Sequence, residues 1–448
     1  MGVRSGFDRT ESVAGYLADR DAANVAKIAF RPRTPRLTHV PPRTRARPDL
    51  SFSEFVAMMA ALMALHAFGI DAMLPALPDI GRAFAVPDGN ELQWVVTIFV
   101  MGAGAGQLLY GPLSDRLGRR PVILVGLALY VVMSLVASAA PSLGSLLVVR
   151  AAQGFVVAAS NVITRSIVRD QYSGARMARV MSMIFIVFLS VPILAPSVGQ
   201  LLLLVVSWRG IFATLAVLGA CVFTWVALRL PETLPPERRR PLSAAHLSQA
   251  AWFVFTEPTS ILYTLAMTAM FGSLLAYVST VPQIFTGAFH APKLMAGTFA
   301  FCASAMGVAS YFNSRIVERV GMHRISHIAL VSFMGITACH SIVAYQGSEP
   351  LVVFALFQAA TMAMFGLAVS NFGAIAMQPM GAIAGSAASL QGVISTIGGA
   401  AVGSLIGQQW SGSVFFLPAG ALVCGIAALG CVLIAEKARL FRRIDIGA

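Results

Sequence analysis

The decapeptide GPLSDRLGRR, from Gly111 to Arg120, separates two apolar stretches that cover residues 92–112 and 121–140. Each stretch has about 20 residues, the length that an α-helix needs to cross a hydrocarbon layer about 30 Å thick. Charged side chains are costly inside that layer, so the arginines of the decapeptide belong at a membrane surface. The stretch therefore predicts two membrane-spanning helices joined by a short basic loop.

The same alternation of apolar and polar stretches continues along the chain. Of its 448 residues, 57% are hydrophobic and only 11% are charged, whereas a soluble domain has about 25% charged residues. We predict an all-α membrane protein with twelve transmembrane helices. They cover residues 55–77, 92–112, 121–140, 143–164, 180–205, 208–229, 259–281, 294–314, 325–345, 350–371, 384–407 and 412–435.

A hydrophilic stretch after Leu230, PETLPPERRRPLSAAHLSQ, divides the twelve spans into two sets of six. Its Pro-Pro pair and triple arginine are typical of a linker. We expect a six-helix bundle over residues 51–230, a cytoplasmic linker over 231–250 and a second six-helix bundle over 251–436. Residues 1–50 are predicted to be a disordered basic cytoplasmic tail, and residues 437–448 a second cytoplasmic tail.

The placement of basic residues predicts the orientation in the membrane. The net charge of +13 is concentrated in alternate loops, whereas the opposite loops hold only Arg82, Arg209 and Lys293. Cytoplasmic loops carry the excess of Lys and Arg, so both termini are expected in the cytoplasm and the chain in the inner membrane. This distribution favours anionic lipid over nucleic acid as the partner of the basic residues. The arginines concerned are Arg116, Arg119, Arg120, Arg165, Arg169, Arg176, Arg179, Arg238, Arg239, Arg240, Arg315, Arg319 and Arg324.

A weak internal repeat relates the two halves. The sequence Asp115-Arg-Leu-Gly118 after the second span has a counterpart, Glu318-Arg319-Val-Gly321, after the eighth span. Equivalent placement in each half is typical of transporters built from structural repeats.

The stretch Gly111–Arg120 resembles the signature loop of major facilitator transporters. The resemblance implies the major facilitator fold and a conformational latch in which Asp115 faces the start of span eleven. A carboxylate near a helix N-terminus is stabilised by about 0.3–1 kcal/mol. The alternative is that these arginines only obey the positive-inside rule. The residues assigned to the latch are Gly111, Asp115, Arg116, Gly118, Arg119, Arg120, Glu318, Arg319 and Gly321.

Three further motifs resemble the Bcr/CflA drug-resistance family, to which bicyclomycin and chloramphenicol exporters belong. They are Asp71-Ala-Met-Leu-Pro-Ala-Leu-Pro, Arg150-Ala-Ala-Gln-Gly154 and Leu230-Pro-Glu-Thr-Leu. The stretch 195–200 resembles the antiporter motif of the family but has Gln200 where a second glycine is usual. Pro192, Pro196 and Gly199 are expected to bend this fifth span, since proline removes a helix hydrogen bond.

Asp71 and Arg150 are the candidates for proton coupling. Both lie inside apolar spans, where a charge costs about 2.5–3.5 kcal/mol on insertion scales. If spans one and four line one cavity, as the resemblance implies, the two side chains could pair, and substrate could switch Asp71 between protonated and charged forms. The alternative is that Asp71 caps a helix end and Arg150 snorkels or binds backbone carbonyls.

These features together predict a proton-coupled multidrug efflux antiporter that exports small, mostly neutral, apolar antibiotics by alternating access. The alternatives are a proton-coupled transporter of an endogenous metabolite or a non-transporting membrane protein. A P-loop, a metalloprotease motif and a hydrolase motif are all absent from the sequence, so we predict no enzyme. We expect drug, protons and anionic lipid as partners, a monomer, and no cofactor or metal.

Overall fold

The structure is a computed structural model of the chain, and it describes residues 50–239, 244–347 and 349–441. Every regular element in these ranges is a helix. Eleven helical segments are long and apolar enough to cross a membrane, and a twelfth long helix contains the shorter apolar stretch Ser190–Leu202. The predicted all-α membrane fold with twelve helices in two bundles is confirmed. Residues 1–49 and 442–448, which belong to the predicted tails, lie outside the described residues.

Six long helices and one short helix build the first bundle. They are α1 (Phe52–Asp71), α2 (Leu77–Ala83), α3 (Trp94–Leu117), α4 (Arg119–Ser138), α5 (Leu143–Gln171), α6 (Gly174–Leu202) and α7 (Trp208–Arg229). One further helix, α8 (Ala244–Thr256), precedes the second bundle. The second bundle consists of α9 (Pro258–Gln283), α10 (Met295–Val320), α11 (Met322–Tyr345), α12 (Leu351–Met377), α13 (Ala384–Gly407) and α14 (Phe416–Ala435).

The first span is broken near its far end. The sequence predicts one helix over 55–77, but α1 ends at Asp71 and the chain continues through a 3₁₀ turn, Leu74–Ala76, into α2. Pro75 lies in the first turn of the 3₁₀ segment and Pro78 in the first turn of α2. Since proline has no N–H to donate and clashes with the preceding turn, it is tolerated at the start of each short helix but not inside a continuous one.

Glycines set the closest approaches between helices. A Cβ on Gly102 would lie 2.1 Å from the Ala151 carbonyl oxygen, and one on Gly154 would lie 1.9 Å from that of Phe99, so α3 and α5 pack backbone against backbone. Gly104 faces the other bundle, where its Cβ would lie 2.6 Å from Ile397 of α13. The Gly-x-Gly-x-Gly run at 102–106 is therefore a packing feature, both within the first bundle and between the bundles.

The two bundles meet along two helix pairs, α3 with α13 and α6 with α10. Halfway along the first pair, Gln107 donates to the Thr396 hydroxyl at 3.3 Å. The small residues Gly399 and Gly403 of α13 face α9 instead, where added Cβ atoms would lie 2.9 Å from Phe271 and 2.8 Å from Leu275. These two glycines therefore allow close packing of α13 on α9 inside the second bundle.

Candidate functional site

Asp71 is the last residue of α1 and is almost fully buried, with 6% of its surface exposed. Its carboxyl group has no ion pair and no hydrogen bond with any residue that the structure describes. The chain beside it is tightly packed, since a Cβ on Gly199 of α6 would lie 2.0 Å from the Ala72 carbonyl oxygen. A buried carboxyl without a partner is costly in its charged form.

Arg150 of α5 is completely buried at 0% exposure. Its guanidinium donates to the Val95 carbonyl at 3.0 Å, to the Gly69 carbonyl at 3.0 Å and to Gln153 Oε1 at 2.7 Å. The same group lies 4.1 Å above the centre of the Phe99 ring, where a cation is attracted electrostatically. The cation is therefore held by neutral acceptors and an aromatic face.

The two proton-coupling candidates thus meet at one turn of α1 without forming an ion pair. Arg150 binds the carbonyl of Gly69, two residues before Asp71. The structure realises the alternative in which Arg150 binds backbone carbonyls, and the Asp71–Arg150 pair stays a prediction for another conformation. Gln153 extends the contact network by donating to Ser134 of α4 at 2.7 Å.

The predicted latch lies at the end of the molecule that we name the arginine end, defined by Arg116, Arg119 and Arg120. The Arg119 guanidinium is buried between two carboxylates, at 2.6 Å from Asp115 Oδ1 and 2.9 Å from Asp170 Oδ2. Asp170 lies near the end of α5 and was not identified from the sequence. A single acidic residue among the arginines at 165–179 was the available signal.

A residue after the sixth span, Glu232, also contacts the predicted latch. Glu232 accepts hydrogen bonds from the backbone N–H of Arg119 at 2.9 Å and of Arg120 at 3.2 Å, and so caps the N-terminus of α4. Gly118 has a φ of 101°, and a Cβ there would lie 2.5 Å from Glu232 Oε2. The motif Leu230-Pro-Glu-Thr-Leu is therefore attached to the loop between α3 and α4. Gly111 lies about two turns before Gly118, and a Cβ there would lie 3.8 Å from Ser389 of α13.

The second copy of the loop repeats the backbone but not the contacts. Gly321 has φ 88° and ψ 141°, close to the φ 101° and ψ 155° of Gly118. A Cβ on Gly321 would meet nothing within 4 Å, and Glu318 and Arg319 are exposed. Within the described part of the chain, neither of these two charged residues has an ion pair.

The opposite end, which we name the amide end, is closed by neutral side chains. Gln93, at the start of α3, is 1% exposed and donates to Gln283 Oε1 of α9 at 2.7 Å and to the Gly407 carbonyl of α13 at 2.9 Å. Asn90 donates to the Trp410 carbonyl at 3.2 Å, and Gln408 donates to the Asn90 carbonyl at 3.0 Å. This amide cluster, formed by Asn90, Gln93, Gln283 and Gln408, joins the two bundles.

Two arginines that the sequence places in a loop, Arg165 and Arg169, lie inside α5. Arg165 lies in the second-to-last turn of the helix and is exposed, although its neighbours Thr164 and Ser166 are buried. It has no hydrogen bond or ion pair with a described residue. The fourth span was predicted to end at residue 164 because the apolar stretch ends there. The helix itself continues to Gln171, since hydropathy reports which residues suit lipid and not where a helix ends.

Pro192, Pro196 and Gly199 all lie within α6, which is helical from Gly174 to Leu202. Gly199 allows α6 to approach Ala72 closely. Bending of this helix by the two prolines stays a prediction.

Comparison with known proteins places these features in a family. The model of the Major Facilitator Superfamily matches residues 59–403. A bicyclomycin resistance protein homolog of Haemophilus influenzae is 30% identical, covering 79% of this chain and 89% of that protein. A chloramphenicol resistance protein of Pseudomonas aeruginosa is 29% identical, covering 79% of this chain and 83% of that protein.

Among solved structures, a D-xylose-proton symporter matches with a TM-score of 0.71 at 14% identity. The match covers 87% of this chain and 98% of the symporter. A likeness at this identity supports the fold alone.

Proposed function

This chain belongs to the Major Facilitator Superfamily, within the Bcr/CflA drug-resistance family, and we propose that it exports small, mostly neutral, apolar antibiotics in exchange for protons. Membership of the family makes it a multi-pass membrane transporter rather than an enzyme. The relatives carry names of resistance to bicyclomycin and chloramphenicol. Drug as substrate, proton as driving ion and antiport as mechanism are our proposals for this chain.

The observation that carries the proposal is the buried, unpartnered carboxyl group of Asp71. Because an unpaired charge is costly at this depth, we propose that Asp71 binds the transported proton. Release of the proton leaves a carboxylate that requires a cation, and Arg150 is already bound to the Gly69 carbonyl, two residues away. Transfer of Arg150 from that carbonyl to Asp71 would stabilise the deprotonated state and couple proton release to movement of α5.

Alternating access would use the two ends of the molecule as gates. In this structure the amide cluster joins the bundles at the amide end. By the positive-inside rule the arginine end faces the cytoplasm, which places both termini inside the cell and the amide end outside. Drug would therefore leave from the amide end after the amide cluster separates.

Drug-triggered proton release from energised everted vesicles tests the proposal. The wild type is compared with Asp71→Asn, which keeps the size of the side chain but cannot release a proton. Asp79→Asn is the matched control, because Asp79 lies in α2 of the same span and is partly exposed. We expect the wild type and Asp79→Asn to respond to phenicols and Asp71→Asn to lose the response.

Two other outcomes would change the proposal. A full response from Asp71→Asn would place the proton site elsewhere. If the wild type releases no protons with any antibiotic tested, the result would favour a proton-coupled transporter of an endogenous metabolite, which the same fold also supports.

A further inference from the structure

We infer that His327 is a second proton-binding site, separate from Asp71, and that its protonation releases the chain segment after α14 from the arginine end. His327 lies in the second turn of α11 and is 1% exposed. It belongs to a cluster with Tyr263 of α9, Glu436 immediately after α14, and Phe441. The function proposed above uses none of these groups.

The hydrogen bonds of the cluster have only one possible direction. The backbone N–H of Phe441 can only donate, and it donates to His327 Nδ1 at 3.1 Å. The Tyr263 hydroxyl donates its only proton to Glu436 Oε1 at 2.8 Å. His327 Nε2, at 3.1 Å from that hydroxyl, must therefore donate to the tyrosine oxygen.

This chain of donors fixes the protonation state of the imidazole. Nδ1 accepts and Nε2 donates, so the ring is the neutral tautomer with its proton on Nε2. A second proton would occupy Nδ1 and point at the Phe441 N–H, replacing an attraction between donor and acceptor with a contact between two donors. Binding of the segment and binding of the proton at Nδ1 are therefore mutually exclusive.

The segment is held in a conformation that needs support. Lys437, Ala438 and Phe441 have φ values of 49°, 60° and 63°, in the left-handed region that residues other than glycine rarely adopt. Such a conformation is costly for these residues and persists only when surrounding contacts hold it. Besides the hydrogen bond, the Phe441 ring packs edge-on against the His327 ring at 6.0 Å. Backbone hydrogen bonds to the end of α14, such as that from the Ala438 N–H to the Leu433 carbonyl at 2.8 Å, support Lys437 and Ala438. Loss of the contacts to His327 therefore removes the support for Phe441.

The other titratable and charged groups around the cluster do not explain a release of the segment at low pH, which leaves His327 as the titrating group. His323 Nε2 lies 3.5 Å from Glu436 Oε1, so a proton on His323 would strengthen the contact with Glu436 rather than break it. Tyr263 contributes a neutral hydroxyl from α9, and its ring packs on Phe372 of α12. The remaining charged groups nearby, Arg324, Lys437 and Arg439, are exposed.

The sign of the pH dependence follows from linkage. The docked segment requires neutral His327, and the released state binds one more proton, so docking weakens as the pH falls. Below the midpoint of an accessible histidine, at about pH 6.5, the docking constant should fall about tenfold for each pH unit.

Hydrogen–deuterium exchange of the purified full chain in nanodiscs tests this between pH 5 and pH 8. The readout is the protection factor of the Phe441 amide, obtained from overlapping peptides that end on either side of it, because this amide donates to His327. Using a protection factor removes the pH dependence of intrinsic exchange. We expect protection at pH 8 and a fall of at least tenfold at pH 5.5. The measurement uses no drug and no proton gradient, so its result is independent of the proposed function.

Two variants identify the titrating group. His327→Gln keeps a neutral polar side chain that cannot bind a proton, so its protection should be the same at pH 5.5 and pH 8, whatever its level. His323→Gln should keep the pH dependence of the wild type. The inference is overturned if wild-type protection does not change with pH, if His327→Gln keeps the wild-type dependence, or if His323→Gln abolishes it.

Discussion

The substitution Gly407→Ala tests whether the amide cluster holds the two bundles together at the amide end. A Cβ at this position would lie 2.3 Å from Gln93 Oε1 and 3.1 Å from Thr280. The Gln93 amide must therefore move, and it would lose its hydrogen bonds to the Gly407 carbonyl at 2.9 Å and to Gln283 at 2.7 Å. The substitution acts on the contact between bundles through the displaced amide.

The magnitude follows from these two bonds. Each contributes about 0.5–1.5 kcal/mol net, so the closed amide end should lose about 1–3 kcal/mol relative to the open state. That corresponds to a population shift of about 5- to 150-fold. Alanine is a better helix former than glycine by up to about 1 kcal/mol, so the folding of α13 itself should not suffer.

The assay is the rate at which a membrane-impermeant maleimide labels a cysteine placed at Thr97. This residue lies one turn deeper than Gln93 in α3 and is buried in the closed state. The five native cysteines are replaced in the background. We expect Gly407→Ala to raise the labelling rate at least fivefold.

Gly297→Ala is the matched control for this prediction. It makes the same substitution at a helical glycine where a Cβ would meet nothing within 4 Å. It should leave the labelling rate unchanged. An unchanged rate in Gly407→Ala as well would refute the conclusion that the amide cluster keeps this end shut.

Two further predictions concern the other contacts described above. Gly118→Ala should lower the free energy of unfolding by about 1–3 kcal/mol, because the backbone φ at this position is 101° and the added Cβ would lie 2.5 Å from Glu232. A thermal unfolding midpoint equal to that of the wild type would contradict this prediction. Arg150→Lys keeps the positive charge, but an ammonium group cannot reproduce the three hydrogen bonds and the stacking on Phe99 that the planar guanidinium makes. We expect this variant to fold but to lose drug-triggered proton release. Full proton release would show that the charge alone is needed.

The number of membrane helices and their approximate bounds were predictable from the sequence, because crossing a bilayer demands long apolar runs that composition reveals directly. The predicted helix ends are wrong where a factor other than hydropathy determines the end of the helix. Pro75 and Pro78 break the first span, although hydropathy continues past Asp71. The helix α5 continues seven residues beyond the predicted end at 164, since hydropathy does not report helix in water.

The partners of the candidate residues were less predictable than the residues themselves. Arg119 was assigned to the latch, but its contacts with Asp170 and Glu232 join positions 51 and 113 residues away. Gln93 and Gln283 are separated by 190 residues. Single polar residues at helix ends carry no periodic signal, and only the three-dimensional packing shows which of them meet.

The matching turns at Gly118 and Gly321 have a mechanical consequence. In both halves of the chain a glycine with positive φ forms the turn between the second and third long helices. Among the described residues, the first of these turns is hydrogen-bonded through Glu232 to the chain that leaves the first bundle, and the second turn has no such contact. The connector between the bundles therefore begins as a rigid part of the first bundle. The attachment point at Glu232 therefore moves with the first bundle, and the chain that follows Glu232, rather than Leu230, spans the distance to the second bundle.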